Sequence, residues 1–268
     1  MQNKVVLITG GSSGIGKSIG IYLKSKQFKV YGTTRSLSRH ADFTAFELLE
    51  LDVRKTDGIE SAIHRLIELE GRVDVLINNA GVGITGPLEE TPHDQIVNAF
   101  DVNFHGPLRM IKAVLPQMRE QKYGLIINIT SIAGYMGLPY RGVYSASKGA
   151  LEIITEALRM ETKEFGVQIT NLAPGDFATN IAAGRYHVKA VKGSPYVQYA
   201  RTLEAINDGV DDGEDPIEVA KKVFKIIRTQ KPRIHYKVGA FSQKISVFLK
   251  KILPEKVFEK MLLNHYKL

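Results

Sequence analysis

Cysteine is absent from this chain of 268 residues. That excludes a disulfide framework, thiolate-held zinc, iron–sulfur clusters and a thiol nucleophile. The seven histidines, at positions 40, 64, 93, 105, 187, 235 and 265, form no H-x-x-x-H pair, so no metal site is expected. No stretch reaches the roughly 18 uninterrupted apolar residues that a membrane-crossing helix needs. The first four residues run directly into a strand-like segment and leave no room for a signal peptide. The expected location is therefore the cytoplasm. Against these absences, 44% of the residues are hydrophobic and 24% are charged. That suits a folded chain with a sizeable core rather than a disordered one.

The charge is uneven. The net value is +8, from 36 basic and 28 acidic residues. Residues 217–268 hold 13 Lys/Arg against 3 Asp/Glu, so the basic character belongs to the tail. A uniformly basic surface would suggest nucleic acid, and none is expected as a partner. A basic tail at about 239–268 with interleaved Phe241, Ile245, Val247, Phe248, Leu249, Ile252 and Leu253 leaves two readings open. It is either a peripheral contact for an acidic lipid surface or anionic partner, or a helix that packs its apolar side on the core and solvates its lysines.

Strand-like and helix-like segments alternate along the chain. Short apolar runs predict strands over 4–8, 28–33, 46–51, 73–77, 125–129, 167–172 and 233–238. Helical spacing covers 14–26, 56–70, 93–121, 143–165 and 216–228, with Pro107 expected to kink the fourth-strand crossover helix. This alternation predicts an α/β fold, a doubly wound parallel sheet of about seven strands with helices on both faces, over residues 1–268. Residues about 180–215, with Gly184, Gly193, Pro195 and an acidic run, fall at the carboxyl edge of the sheet. They read as a substrate lid.

The first strand opens directly into Thr9-Gly10-Gly11-Ser12-Ser13-Gly14-Ile15-Gly16, and a helix follows. Glycines permit the tight turn, and a helix N-terminus offers free N–H groups to phosphates. Further signals follow in order: Asp52, Asn78-Asn79-Ala80-Gly81, Asn103, Ser131, Tyr144-Ser-Ala-Ser-Lys148, and Pro174-Gly175 with Thr179. Over about residues 3–180 this pattern resembles the short-chain dehydrogenase/reductase family. The resemblance implies a single-domain Rossmann fold and a nicotinamide cofactor held by Gly10, Ser12, Ser13, Gly14, Ile15 and Gly16. In that family Asp52 and Val53 flank the adenine. Asn79, Ala80 and Gly81 line the cleft, and Pro174, Gly175, Phe177 and Thr179 close on the nicotinamide.

Cofactor preference follows from charge. A carboxylate at the end of the second strand would accept the ribose hydroxyls of NAD and repel a 2′-phosphate. Thr34 stands there instead, with Arg35 and Ser36 next, and a guanidinium can fork onto a phosphate. NADP(H) is expected over NAD(H).

Tyr144 and Lys148, four residues apart, share one helix face. A free tyrosine titrates near pH ~10, and a nearby ammonium favours its phenolate. That makes Tyr144 a proton donor to a carbonyl. The resemblance completes a tetrad, with Ser131 bonding the substrate oxygen, Lys148 also holding the nicotinamide ribose, and Asn103 organising a water relay. The implied reaction is a hydride transfer between cofactor and a carbonyl/alcohol. Substrate contacts are expected from Ser131, Ala133, Tyr135, Leu138, Tyr144, Phe177 and Ile181. So apolar a set suits a steroid, retinoid or lipid-like ketone or aldehyde. A carrier-linked 3-oxoacyl reductase of the same family is the enzymatic alternative. A non-catalytic NADP-sensing regulator or scaffold is the other. The family usually associates through the two long helices, so a homodimer or homotetramer is expected.

Overall fold

The computed structural model describes residues 3–177, 185–211 and 213–268. The chain opens with β1 (Val5–Ile8), α1 (Gly14–Ser25), β2 (Lys29–Thr34), β3 (Glu47–Glu50), α2 (Thr56–Glu70) and β4 (Val75–Asn78). Then come β5 (Ile84–Thr85), α3 (His93–Phe100), α4 (Gly106–Glu120), β6 (Gly124–Ile129), α5 (Gly142–Glu161) and β7 (Val167–Pro174). The chain ends with β8 (Tyr186–His187), α6 (Tyr199–Asp211), α7 (Ile217–Arg228), β9 (His235–Val238), α8 (Phe241–Ile252) and α9 (Glu255–Tyr266).

Seven strands form one parallel sheet in the order β3-β2-β1-β4-β6-β7-β9. The chain winds outward to β2 and β3, returns, and winds the other way from β4. That reversal opens a crevice beyond the carboxyl ends of β1 and β4. Both faces of the sheet are covered, which is why β1, β4 and β6 are buried at every position. Alternate residues serve opposite cores: Val5 and Leu7 join Ile59, Ile63, Met110 and Val114, whereas Val6 and Ile8 join Ile19, Leu23, Val219 and Val223.

The predicted helix over 93–121 is two helices joined by a π-helical turn, Asp101–His105. The Gly106 N–H reaches back to the Asp101 carbonyl. Pro107, which has no N–H to continue the ladder, begins α4. The break thus lies just ahead of the proline. Within the predicted lid the structure adds two features that the sequence reading lacked. β8 pairs in parallel with β5, and α6 follows it.

The basic tail folds back. Val247 of α8 and Phe258 of α9 pack with Ile132, Met136 and Ala173 in a third apolar cluster, joined by Tyr135, Leu138, Leu249, Leu253, Met261 and Leu262.

Candidate active site

A cleft of about 410 Å³ runs along the carboxyl edge of the sheet. Its first wall is the β1–α1 turn. Gly10 and Gly14 adopt φ of +64° and +51°, which only glycine does readily. Gly16 lies behind them, where a Cβ would come within 2.3 Å of the Gly10 carbonyl and 2.6 Å of Asn79 Nδ2. Asn79 Nδ2 donates to the Thr9 and Gly10 carbonyls, at 2.9 and 3.1 Å. The Asn79 and Ala80 N–H groups both donate to Thr9 Oγ1 at 3.0 Å. The turn and the end of β4 are therefore one clamped unit. Sequence reasoning missed Thr9, whose place at the end of β1 was the available signal.

Gly10, Ser13, Gly14, Ile15, Thr34, Arg35, Asp52, Val53, Asn79, Ala80 and Gly81 line the cleft. Ser12, Gly16 and Ser36 do not form part of its wall. No carboxylate stands at the end of β2. Arg54 also lines the cleft and forks onto Asp52, with Nε–Oδ1 at 3.0 Å and Nη2–Oδ2 at 2.6 Å. The Arg54 hydrogen bonds hold the Asp52 carboxyl below its ordinary value despite partial burial. Arg54 also reaches Asn98 Oδ1 at 3.2 Å. Arg35 has no hydrogen bond or ion pair among the described residues.

At the other end, Ser131, Tyr144, Lys148, Pro174, Gly175 and Phe177 line the same cleft. Ser131 follows β6 and caps a 3-10 turn, accepting the Ala133 N–H at 3.2 Å. Lys148 is 5% exposed, and its Nζ donates to the Ile129 carbonyl at 2.9 Å. Burial pulls its pKa down to about 8, against the opposing charge of Glu152. Asn103 is fully buried in the π turn and lies outside the wall. Its Oδ1 accepts the Val82 N–H and its Nδ2 donates to the Val82 carbonyl, both at 2.9 Å. It also donates to Ser147 Oγ at 3.1 Å. Asn103 and Lys148 converge on Gly81, where a Cβ would sit 3.2 Å from Asn103 Oδ1 and 3.4 Å from Lys148 Nζ.

Three expected substrate contacts are elsewhere. Ala133, Tyr135 and Leu138 are not on the cleft wall. Tyr135 and Leu138 instead pack in the cluster made with α8 and α9. The tail takes up the apolar side of the segment after β6, so those side chains face the tail. Tyr135 donates to Glu152 Oε2 at 2.8 Å. Glu152, nearly buried, also accepts from Asn171 Nδ2 at 2.9 Å and Thr130 Oγ1, and meets His235 Nδ1 at 2.7 Å. This polar cluster seats the middle of α5 on β6, β7 and β9, one turn beyond Lys148. Thr179 and Ile181 lie outside the described residues. Arg141 and Arg185, unanticipated from sequence, line the cleft, and the Arg141 guanidinium lies 5.6 Å from the Tyr144 ring centre. No group of acidic or histidine side chains that would hold a metal is found among the described residues.

Known proteins resemble this chain in sequence and fold. The family model for short chain dehydrogenases matches residues 4–189. A 3-ketodihydrosphingosine reductase of Bacteroides thetaiotaomicron is 37% identical, covering 97% of this chain and 96% of its own. Human 17-beta-hydroxysteroid dehydrogenase type 1 is 35% identical, covering 88% of this chain and 77% of its own. Among solved structures, a short-chain dehydrogenase from Streptomyces avermitilis superposes with a TM-score of 0.81 at 29% identity, over 99% of this chain and 97% of that one. A short-chain dehydrogenase/reductase from Burkholderia phymatum, solved with NAD, gives 0.80 at 25% identity over 93% of both chains. With a clamped glycine turn at a sheet reversal and Ser131, Tyr144 and Lys148 on the same wall, the chain belongs to the short-chain dehydrogenase/reductase family, as an oxidoreductase with a nucleotide-binding Rossmann fold.

Proposed function

We propose that this protein is an NADP(H)-dependent reductase of a hydrophobic, long-chain ketone. One observation carries the reading: a single cleft has at one end a guanidinium, Arg35, with no hydrogen bond or ion pair among the described residues, and Ser131, Tyr144 and Lys148 at the other. Arg35 would pair with a 2′-phosphate, with Thr34 and Ser36 beside it. The tight turn over Gly10–Gly16 suits a pyrophosphate, because any larger residue at Gly16 would intrude on the turn. Asp52 and Val53 would flank the adenine, while Pro174, Gly175 and Phe177 would bound the nicotinamide. When bound, the cofactor supplies the hydride.

The chain's own residues do the rest. Lys148, whose pKa burial pulls down to about 8, shares the cleft wall with Tyr144 and would hold the nicotinamide ribose. Tyr144 delivers the proton to the substrate oxygen, and the Ser131 hydroxyl donates a hydrogen bond to it. Asn103 acts from behind, fixing Val82 and Ser147 and so the approach of β4 to α5. Val82, Ile84 and Phe177 give the cleft apolar wall, while Arg141 and Arg185 give it charge. A long-chain ketone with a polar head fits that mixture. The names of the sphingolipid and steroid relatives support the same substrate class.

Turnover tests the reading. NADPH oxidation would be followed over a panel from small aldehydes to steroids and long-chain 3-keto amines, with Tyr144→Phe as control. The expected result is NADPH-linked reduction of a long-chain ketone, falling roughly 10²- to 10⁴-fold in the variant. Undiminished turnover in Tyr144→Phe refutes the assignment. We also infer a homo-oligomer paired through the 93–121 region, α3 and α4, and through α5. Val97, Ile153 and Met160 expose apolar side chains at 53%, 71% and 72% on α3 and α5. A light-scattering mass equal to one 29.8 kDa chain would refute this.

A further inference from the structure

α8 is two-faced. Val247 is buried against the third cluster, with Leu249 and Leu253 partly so. Phe241, Ile245, Phe248 and Ile252 are 76%, 36%, 58% and 57% exposed. Their spacing of four, three and four residues puts them on one side of the helix. A solvent-facing stripe of two phenylalanines and two isoleucines is not what a helix shows when its only task is packing on the core. Lys244 and Lys251 each lie three residues after a phenylalanine of the stripe, hence beside it. All six lysines of residues 241–268 are exposed, against two glutamates.

We propose that this face of α8 docks on an anionic lipid bilayer. An apolar stripe bordered by lysines matches the layering of such a surface, with acyl chains below and negative headgroups above. α8 has 12 residues, too short to cross a bilayer. No helix among the described residues is long and apolar enough to do so. The helix therefore lies on the surface. A second copy of the chain is the less favoured occupant, since a self-paired α8 would set lysines against lysines.

The helix that carries the stripe begins beside the cleft. Gln243, in the first turn of α8, accepts the Asp176 N–H at 3.1 Å and donates to Asp176 Oδ2 at 2.6 Å. Asp176 and Gly175 line the cleft, and Gln243 packs on Gly175. Docking would thus hold the cleft near the headgroups, from which a long-chain ketone could enter without crossing water. Only this delivery role rests on the substrate reading; the docking surface stands without it.

Vesicle co-sedimentation of the full chain, with no substrate present, tests the proposal. The vesicles are phosphatidylcholine alone, or with about a third phosphatidylglycerol, at 0.1 M salt. The wild type is expected to bind the anionic vesicles and to release them on raising salt to 0.5 M. Each lysine near the surface is worth about a fivefold change in partition, so Lys244→Glu/Lys251→Glu should lose at least tenfold. Phe248→Glu/Ile252→Glu should lose as much, and Leu88→Glu, an exposed apolar residue far along the chain, should lose nothing. NADPH binding, read by fluorescence, reports that each variant is folded. If a variant is misfolded, the wild-type dependence on lipid charge and salt still decides. Equal binding to both vesicles, salt-insensitive binding, or folded stripe variants that bind like wild type would each overturn the proposal. So would a stripe variant whose mass drops to the monomer while vesicle binding stays absent throughout, which would assign the face to a second copy.

Discussion

Replacing Arg35 with aspartate is the sharpest perturbation of the cofactor end. Two guanidinium groups stand there, and their circumstances differ. Arg54 is bound to Asp52 by two short bonds and to Asn98 by a third. Arg35 is exposed and makes no hydrogen bond or ion pair among the described residues, though its charge helps to lower the Asp52 pKa. A 2′-phosphate arriving beside Thr34 would therefore meet Arg35 without breaking an existing ion pair. Losing a hydrogen bond to a charged group costs about 1.5–3 kcal/mol. The introduced carboxylate adds repulsion of roughly 1–3 kcal/mol, taking about 5 Å separation and an effective dielectric between ~20 and ~80. Exposure and salt move the total towards its lower end. NADPH should then bind about 100-fold more weakly. NADH carries no 2′-phosphate, and a carboxylate there can accept its ribose hydroxyls. Its affinity should hold or improve.

The assay is paired fluorescence titration of NADPH and NADH at 0.1 M and 0.5 M salt, on wild type and Arg35→Asp. In wild type the NADPH advantage should narrow at high salt. An equal loss for both cofactors would mean that the substitution damages the turn rather than the phosphate contact. No loss for NADPH would mean that Arg35 is a solvated loop residue. Either result refutes the charge argument, and neither affects the reading of Ser131, Tyr144 and Lys148.

Gly16→Ala forces a methyl to within 2.3 Å of the Gly10 carbonyl and onto the amide of Asn79. Overpacking of that kind costs about 1–3 kcal/mol, so NADPH affinity should fall at least about tenfold; unchanged binding refutes the close-approach role. His235 lies between Glu152 and Glu156, at 2.7 and 2.9 Å, and its hydrogen bond to Glu152 raises its pKa above the ordinary imidazole value. A raised base contributes stability fully below its unfolded value of about 6.5 and loses it as pH climbs through the folded value. The melting-temperature advantage of wild type over His235→Gln should therefore be largest near pH 6 and shrink by pH 9. A constant advantage would show that packing, not charge, is responsible.

The parts of this molecule that were legible in its sequence are those whose causes are local. Residues 75–77 and 125–127 are apolar without alternation because both sheet faces are covered, and they lie in strands. Gly10 and Gly14 mark a turn because their φ values exclude most side chains. Tyr144 and Lys148 share a wall because four residues make one helical turn. Placement was less legible where its cause is distant. Tyr135 and Leu138 follow Ser131 closely, which suggested the substrate pocket. Their environment is made by Val247, Phe258 and their neighbours, more than a hundred positions later. Likewise Glu152 reads as one more polar residue of a long helix. Only the parallel placement of β7 and β9 brings Asn171 and His235 against it. α6 went unread for another reason: the glycines, Pro195 and acidic run of 180–215 read as a lid, while Tyr199, at its start, bonds outside the helix to the Thr85 and Val188 carbonyls. A parallel fold makes such misses systematic. Each crossover separates spatial neighbours by a helix or more of chain, so chemistry confined to one turn can be read from sequence, while chemistry assembled across strands has to await the sheet.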